Sequence, residues 1–339
     1  METTNNNKNK VSEELKHELL HNNPFTDILG LEKVKFELKS AFLANRHIIL
    51  VGPPGTGKTT LAKNIAKLLP EREVELRDES DPTKLEKKKL RGEERFVRIQ
   101  GSPDLTVEDL LGDIDPIKAM KFGPLSLEAF TPGKIFKANQ GILFFDELNR
   151  CPEKLQNALL QVLQERKATI GSYDVDLDAD FIFIGTMNPE DSSTEKLSDV
   201  LLDRFDLVYV SYPETAEIEK QIVLMKGLKQ DIEFPDDLLN YTIMFVRNLR
   251  ENNKLEIVPG VRATLGLYER AQTNALLRHK TSVEKQDIDD AIESVIAHRI
   301  KLKPSYQYLQ SPSEFIKQEL KEFSESTDFS SLTQKGDGL

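Results

Sequence analysis

The chain has 339 residues, 38% of them apolar and 30% charged, which is enough for two domains with real cores. A formal net charge of −11 speaks against a protein built mainly to bind nucleic acid, although it leaves room for a local basic loop. The single cysteine, Cys151, excludes an intramolecular disulfide framework and a cysteine-cluster zinc site. No apolar run approaches the 18 residues of a membrane helix, and the Asn-rich start carries no signal-peptide apolar region. A soluble, cytoplasmic protein is expected, with no membrane insertion.

In chain order, residues 1–10 predict a disordered tail, and 11–212 an α/β nucleotide-binding domain. Residues 11–20 predict a short helix, broken by Asn22-Asn23-Pro24. Asp27-Ile28-Leu29-Gly30 then leads into a helix over 31–45, with Val34, Leu38, Phe42 and Leu43 on one face. Ile48-Ile49-Leu50-Val51 predicts a buried parallel strand. The turn Gly52-Pro53-Pro54-Gly55-Thr56-Gly57-Lys58-Thr59-Thr60 follows it, and then a helix over 61–69. Residues 71–95 hold 17 charged side chains, nine acidic and eight basic, and predict a solvated insertion with a frayed helix at 84–90.

Strands are expected at 96–99, 141–145, 181–184 and 207–210, with helices at 105–112 and 153–164 between them. The stretch 113–134 predicts loop with some strand, and 167–180 a hairpin turning at 171–174. Strands alternating with helices predict an α/β fold with a parallel five-stranded sheet flanked by helices. After the hinge Ser211-Tyr212-Pro213 no strand signal remains. Helices near 214–228, 236–251, 260–279 and 284–300 predict a small all-helical domain over 213–300. The tail 301–339 carries one helix, at 312–323, and a Ser-rich end expected to be partly disordered.

Chemistry concentrates at the ends of the apolar strands. Gly52, Gly57, Lys58 and Thr59 satisfy G-x-x-x-x-G-K-[ST] in a strand–loop–helix setting, the pattern of a phosphate-binding loop. Glycines let backbone N–H groups curl round phosphates, and the helix N-terminus adds partial positive charge. Lys58 would reach the β- and γ-phosphates of a nucleoside triphosphate, and the Thr59 hydroxyl would ligate Mg²⁺. The third strand ends in Asp146-Glu147, where Asp146 would hold Mg²⁺ and Glu147 would polarise the attacking water. Asn188, after the fourth strand, is placed to bond the γ-phosphate or that water. Arg204, in Leu202-Asp203-Arg204-Phe205, fits an arginine finger that reaches a neighbouring subunit's γ-phosphate. Arg262 opens a helix, where the dipole disfavours a cation, and could reach the same phosphates.

These residues follow the order Walker A, Walker B, sensor 1, arginine finger and sensor 2, so the chain resembles the AAA+ ATPases. Four stretches narrow this to a resemblance to the MoxR family, relatives of the magnesium-chelatase ATPase subunit. They are RHIILVGPPGTGKT, FVRIQGSPDLTVEDLLGD, GILFFDELNRCPEKLQNALLQVLQE and LLDRFD. The similarity covers about residues 24 to 300. It implies a P-loop NTPase fold with a helical lid and a ring, usually a hexamer, with nucleotide sites between subunits. It also implies a helix-2 insertion at 105–136, a presensor hairpin at 167–180, and Ile28, Leu29 and Gly30 near the adenine. Arg150 matches the family's Asn-Arg pair, which would face the neighbouring subunit. The implied partners are a protein with a von Willebrand factor A domain and a client protein complex.

The favoured function is a Mg²⁺-dependent ATPase that remodels or matures partner complexes in a chaperone-like way. A magnesium-chelatase-type motor subunit would carry the same core, and the sensor 2 segment from Pro259 to Leu265 leans toward that type. A nucleic-acid motor is opposed by the acidic balance and the lack of a basic-aromatic tract. A switch that binds nucleotide without hydrolysis is opposed by the presence of Glu147 and Arg204.

Overall fold

The computed structural model describes residues 10–77, 85–124, 126–169, 176–189 and 197–326. The hairpin turn expected at 171–174, the tail 1–9 and the end 327–339 lie outside them. The described residues form two compact units. One holds those up to 28, with 32–52 and 57–210; the other holds 29–31, 53–56 and those from 211 onward.

The first unit begins with α1 (Lys10–His21) and α2 (Glu32–Leu43), which buries Val34, Leu38, Ala41 and Phe42 along one side. Strand β1 (His47–Val51) leads into α3 (Lys58–Lys67). Next come β2 (Arg72–Arg77), β3 (Leu85–Leu90) and β4 (Phe96–Gln100). Short elements follow: α4 (Val107–Leu111), β5 (Gly112–Ile114), α5 (Pro116–Phe122), β6 (Phe130–Pro132) and α6 (Lys134–Lys137). Strand β7 (Ile142–Asp146) precedes α7 (Glu153–Glu165), and β8 (Lys167–Thr169) pairs antiparallel with β9 (Asp176–Asp178). The unit closes with β10 (Ile182–Met187), α8 (Asp199–Leu202) and β11 (Phe205–Tyr209).

Five strands make one sheet in the order β11–β1–β10–β7–β4, every pair parallel. Its central strands are apolar at successive positions because both faces are covered. Ile48, Ile49, Leu50, Leu143, Phe144, Phe145 and Phe183 are fully buried. Alternate residues Ile49, Val51, Leu143, Phe145 and Phe183 pack with Leu155, Leu159 and Val162 of α7. The main chain therefore leaves the core only at the strand ends.

Three expectations are corrected here. Of the frayed helix expected at 84–90, residue 84 lies outside the described residues and 85–90 form a strand, pairing antiparallel with 72–77. Glu73 sits opposite Lys89 and Glu75 opposite Lys87, and Lys87 Nζ reaches Glu73 at 3.3 Å. Opposite charges across two strands favour pairing that a helix would forgo. Nor is the whole of 71–95 solvated. Arg95 is only 3% exposed, donating to the carbonyls of Pro70 (2.8 Å) and Gln140 (2.9 Å) and to Glu14 of α1 (2.8 Å). Finally, 113–134 contains the helix α5, started by the Asp115 side chain, which accepts from the N–H of Ile117 and Lys118.

The second unit is mostly helical: α9 (Ala216–Lys226), α10 (Asp236–Glu251), α11 (Val261–Leu277) and α12 (Lys285–Ile296), with α13 (Pro304–Gln307) and α14 (Pro312–Ser326). It also contains an antiparallel pair, β12 (Leu255–Ile257) with β13 (Lys301–Leu302), where no strand was expected. Three and two residues are too few for a period-2 pattern to show. The helix at 312–326 is not an appended tail element, since Phe315 and Ile316 are fully buried in the same core as Phe245, Leu267 and Ile292.

Replacing Arg95 by Ala should cost about 3 kcal/mol, because it strands the Glu14 carboxylate and two carbonyls; urea unfolding measures it. His47 accepts the Phe183 N–H on Nδ1 at 3.1 Å. Burial, then Arg166 and Arg46, push its pKa down from 6.5 to about 4. Between those values the unfolded chain takes up the proton first, so stability present above pH 6.5 is lost as pH falls towards 4. The loss should approach roughly 2 to 3 kcal/mol, and His47→Gln should remove that part of the pH dependence in urea titrations.

Candidate nucleotide site

Gly52 follows β1 where no side chain fits: a Cβ there would lie 2.1 Å from the Val210 carbonyl oxygen. Gly57 caps α3 with φ +88°, a left-handed conformation that glycine adopts without strain. Lys58, Thr59 and Thr60 form the first turn of α3, whose leading N–H groups have no intrahelical acceptor. Lys58 Nζ donates to the Gly52 carbonyl at 2.7 Å, so the ammonium folds over the start of the loop. Upstream, the buried Asn64 of α3 donates to the Asp27 carboxylate, tying the approach to Ile28 to the same helix.

The sheet order differs from the simple picture in which the strand bearing Asp146 adjoins the loop strand. β10 lies between β1 and β7 and links them chemically. Its Thr186, 1% exposed, donates Oγ1–H to Asp146 Oδ1 (2.7 Å) and accepts the Glu147 N–H (2.9 Å). Glu147 has φ +56°, a left-handed conformation that costs a non-glycine residue energy and turns its side chain out of the strand line. Gly101 is needed beside it, since a Cβ there would meet the Glu147 carbonyl oxygen at 2.1 Å.

Both carboxylates have further partners. Arg98 of β4 pairs with Asp146 Oδ2, and Gln100 donates to Glu147 Oε2 at 2.9 Å. Arg150 lies 3.4 Å from the same Glu147 oxygen. Asn188, half-buried after β10, accepts on its main-chain oxygen from Asn149 Nδ2 at 3.2 Å. Asn149 is 4% exposed, and its Oδ1 has no hydrogen-bond partner among the described residues.

Arg204 is exposed just before β11. Asp206, two residues on, pairs with Arg46 at 3.0 Å. With the Gln164 amide oriented to satisfy both groups, its oxygen accepts from Arg204 Nη2 (2.8 Å) and Nε (3.2 Å). The guanidinium thus has a neutral partner and keeps its charge uncompensated by that contact.

In the second unit, which includes 53–56, Arg262 stands at the second residue of α11. Its Cγ lies 3.1 Å from where a Gly55 Cβ would be, and Gly55 has φ +81°. Thr56 donates Oγ–H to the Pro53 carbonyl at 3.0 Å, and the Pro54 carbonyl lies against Gly260. Gly30 (φ +67°) and Leu31 (φ +61°) are both left-handed, and a Cβ on Gly30 would lie 3.2 Å from Ile218.

Sequence reasoning passed over Arg98, Gln100, Asn149, Gln164 and Thr186. Two of them left a trace: Arg98 and Gln100 are polar at i and i+2 on an edge strand whose other residues are apolar. Thr186 is a lone hydroxyl in an otherwise apolar strand.

Residues 47–205 match the AAA domain of the dynein-related subfamily, and 251–320 match an AAA lid domain. The uncharacterised protein YeaC of Bacillus subtilis is 26% identical over 317 residues, 86% of this chain and 89% of YeaC. The magnesium-chelatase subunit ChlI of Chlamydomonas reinhardtii is 28% identical over 326 residues, covering 83% and 76%. Chaperone MoxR1 of Mycobacterium tuberculosis is 26% identical over 306 residues, covering 81% and 73%. The fold is the AAA+ P-loop fold, a five-stranded parallel sheet with flanking helices and a C-terminal lid domain. The chain thus carries an AAA domain followed by an AAA lid domain, and the proteins it is similar to include a MoxR chaperone and a ChlI subunit.

Thr186→Val keeps the shape but leaves Asp146 Oδ1 and the Glu147 N–H without their shared partner. The expected cost is about 1 to 3 kcal/mol of stability, read by denaturant unfolding.

Proposed function

We propose that this chain is a Mg²⁺-dependent ATPase that acts as a ring, hexameric in form, to remodel or mature partner protein complexes in the cytoplasm. The observation that carries this reading is the Thr186 bridge. It gathers Asp146 and Glu147 at the sheet edge where β1 delivers the loop that starts at Gly52. The match to an AAA domain supports ATP as the nucleotide.

The residues fit the ligand chemistry. Gly52 and Gly57 leave main-chain N–H groups open to phosphate oxygens, and Lys58 would release the Gly52 carbonyl to neutralise the β- and γ-phosphates. Pro53, Pro54, Gly55, Thr56 and Thr60 complete the loop. Thr59 and Asp146 are hard oxygen donors suited to Mg²⁺, which keeps several waters and needs few protein ligands. When bound, that ion would supply neutralisation of the charge that develops on the phosphates. Asp146 would exchange the Arg98 guanidinium for it, and Glu147 would hold and deprotonate the attacking water. Asn188 would orient that water or the γ-phosphate. Arg204, whose guanidinium donates to the Gln164 amide, would stabilise the transition state in the neighbouring subunit's site. Arg262 would bring positive charge to the loop, and Ile28, Leu29 and Gly30 would flank the adenine.

Likeness to the chaperone MoxR1 favours a partner-remodelling role, for which the proposed partners are a von Willebrand factor A domain protein and a client complex. Likeness to ChlI favours a second reading, a chelatase-type motor subunit. No helix among the described residues is long and apolar enough to cross a membrane, and a nucleic-acid motor is disfavoured by the net charge of −11.

Purified Lys58→Ala and Arg204→Ala should each lose hydrolysis by about 10³-fold or more when assayed alone, on the scale known for such fingers. Mixed in equal amounts they should recover, since about a quarter of head-to-tail interfaces would pair an intact loop with an intact finger. Full activity of Arg204→Ala alone would remove the finger assignment. Two inactive variants that stay inactive on mixing would count against sites shared between identical subunits.

A further inference from the structure

Among the described residues of the second unit, two acidic side chains have no exposed surface, Asp287 and Glu219, and Glu219 is the one whose partners lead towards Arg262. Glu219 of α9 is 0% exposed. Its Oε1 accepts from Arg250 Nη2 (2.7 Å) and from the Thr264 hydroxyl (2.6 Å). Its Oε2 accepts from Arg250 Nη1 (2.7 Å), with Arg247 Nη1 at 3.5 Å. Burying Glu219 together with the Arg250 guanidinium is expensive, and an apolar pair of the same volume would hold the helices at least as well. The arrangement therefore calls for a reason other than stability.

The other ends of these side chains supply one. Arg247 donates to the carbonyls of Pro213 and Glu214, both at 3.0 Å, just after the hinge. Arg250 donates Nε–H to the Pro259 carbonyl at 2.8 Å, and its guanidinium lies 4.8 Å over the Tyr212 ring. Thr264 sits in the first turn of α11. Arg262 thus lies between two tethered points, Pro259 and Thr264, that both lead to Glu219. Gly260, next to the first tether, approaches the Pro54 carbonyl so closely that a Cβ there would lie at 3.0 Å, and the Tyr212 ring at 3.4 Å.

We propose that Glu219 and Arg250 are positioning residues for Arg262: they lock residues 212–214 and 259–264 into one rigid piece and so fix Arg262 against Gly55. The bidentate fork sets direction as well as distance, since the guanidinium can bridge Glu219 and the Pro259 carbonyl only in one plane. Any change at residues 212–214 is carried to 259–262 through two hydrogen-bonded arginines and not through flexible packing. The consequence for nucleotide rests on the proposed role of Arg262; the rigidity itself does not.

The test uses the full chain with Glu219→Gln, Arg262→Ala, the double variant, and the milder Thr264→Val in case Glu219→Gln fails to fold. Hydrogen exchange by mass spectrometry should show amides of 260–266 exchanging at least 10-fold faster in Glu219→Gln, with 182–187 of the sheet unchanged. Unchanged exchange at 260–266 in both Glu219→Gln and Thr264→Val would overturn the proposal. A fluorescent ATP analogue should bind about 3- to 10-fold more weakly to Glu219→Gln and Arg262→Ala, with the double variant no weaker than Arg262→Ala alone. Additive losses would overturn the positioning role. Were Arg262→Ala to bind as tightly as the parent, the sensor assignment would fall, while the exchange result would still decide the rigid connection.

Discussion

Burial of the sheet on both faces is the constraint from which the site follows. With Ile48 to Val51, Ile142 to Phe145 and Ile182 to Ile184 all in the interior, no polar group can leave those strands sideways without an unpaired cost. Polar chemistry is forced to the strand ends, and parallel pairing puts all those ends on one edge. That is why Gly52, Asp146, Gln100 and Asn188 lie along the same edge of the sheet although they lie far apart in the chain. The rule that ligands bind outside the carboxyl ends of parallel strands has this same origin.

At that edge, charge is managed by a short chain of contacts. Thr186 supplies one hydroxyl that serves both carboxylate residues, donating to Asp146 and accepting from the Glu147 main chain. Arg98 takes Asp146 Oδ2, and Gln100 and Arg150 both approach Glu147 Oε2. Two acidic groups in sequence would otherwise repel each other, and distributing them between a strand end and a left-handed residue aims them apart. These partners are exposed or half-exposed at their side chains, so exchanging them for an ion or a water would cost little.

Much of this was legible in the residues themselves. Runs such as Ile142 to Phe145 announce buried parallel strands, and the phosphate-loop pattern after Val51 fixes strand, turn and helix together. The charged stretch misled because composition records solvation and not pairing: Glu73 and Lys87 meet only when two strands align, and Arg95 is buried by contacts from Glu14 and Gln140, distant in sequence. The Thr186 bridge and the Glu219 cluster were invisible for the same reason, since a hydroxyl or a carboxylate gains its role from neighbours that only the fold supplies. Helix α14 was underrated because its burial depends on the core of α10, α11 and α12, which no local period reveals.

The central claim is that the carboxylate pair at the sheet edge hydrolyses ATP, with Glu147 activating the water. Glu147→Gln tests it most directly, because the substitution preserves shape while removing the base. Phosphate release and nucleotide binding should be measured on the same preparation with Mg²⁺ present. The account predicts that the variant binds ATP as tightly as the parent while release falls by at least about 10²-fold, on the scale of a lost general base. A variant that binds normally and hydrolyses at the parent's rate would contradict it.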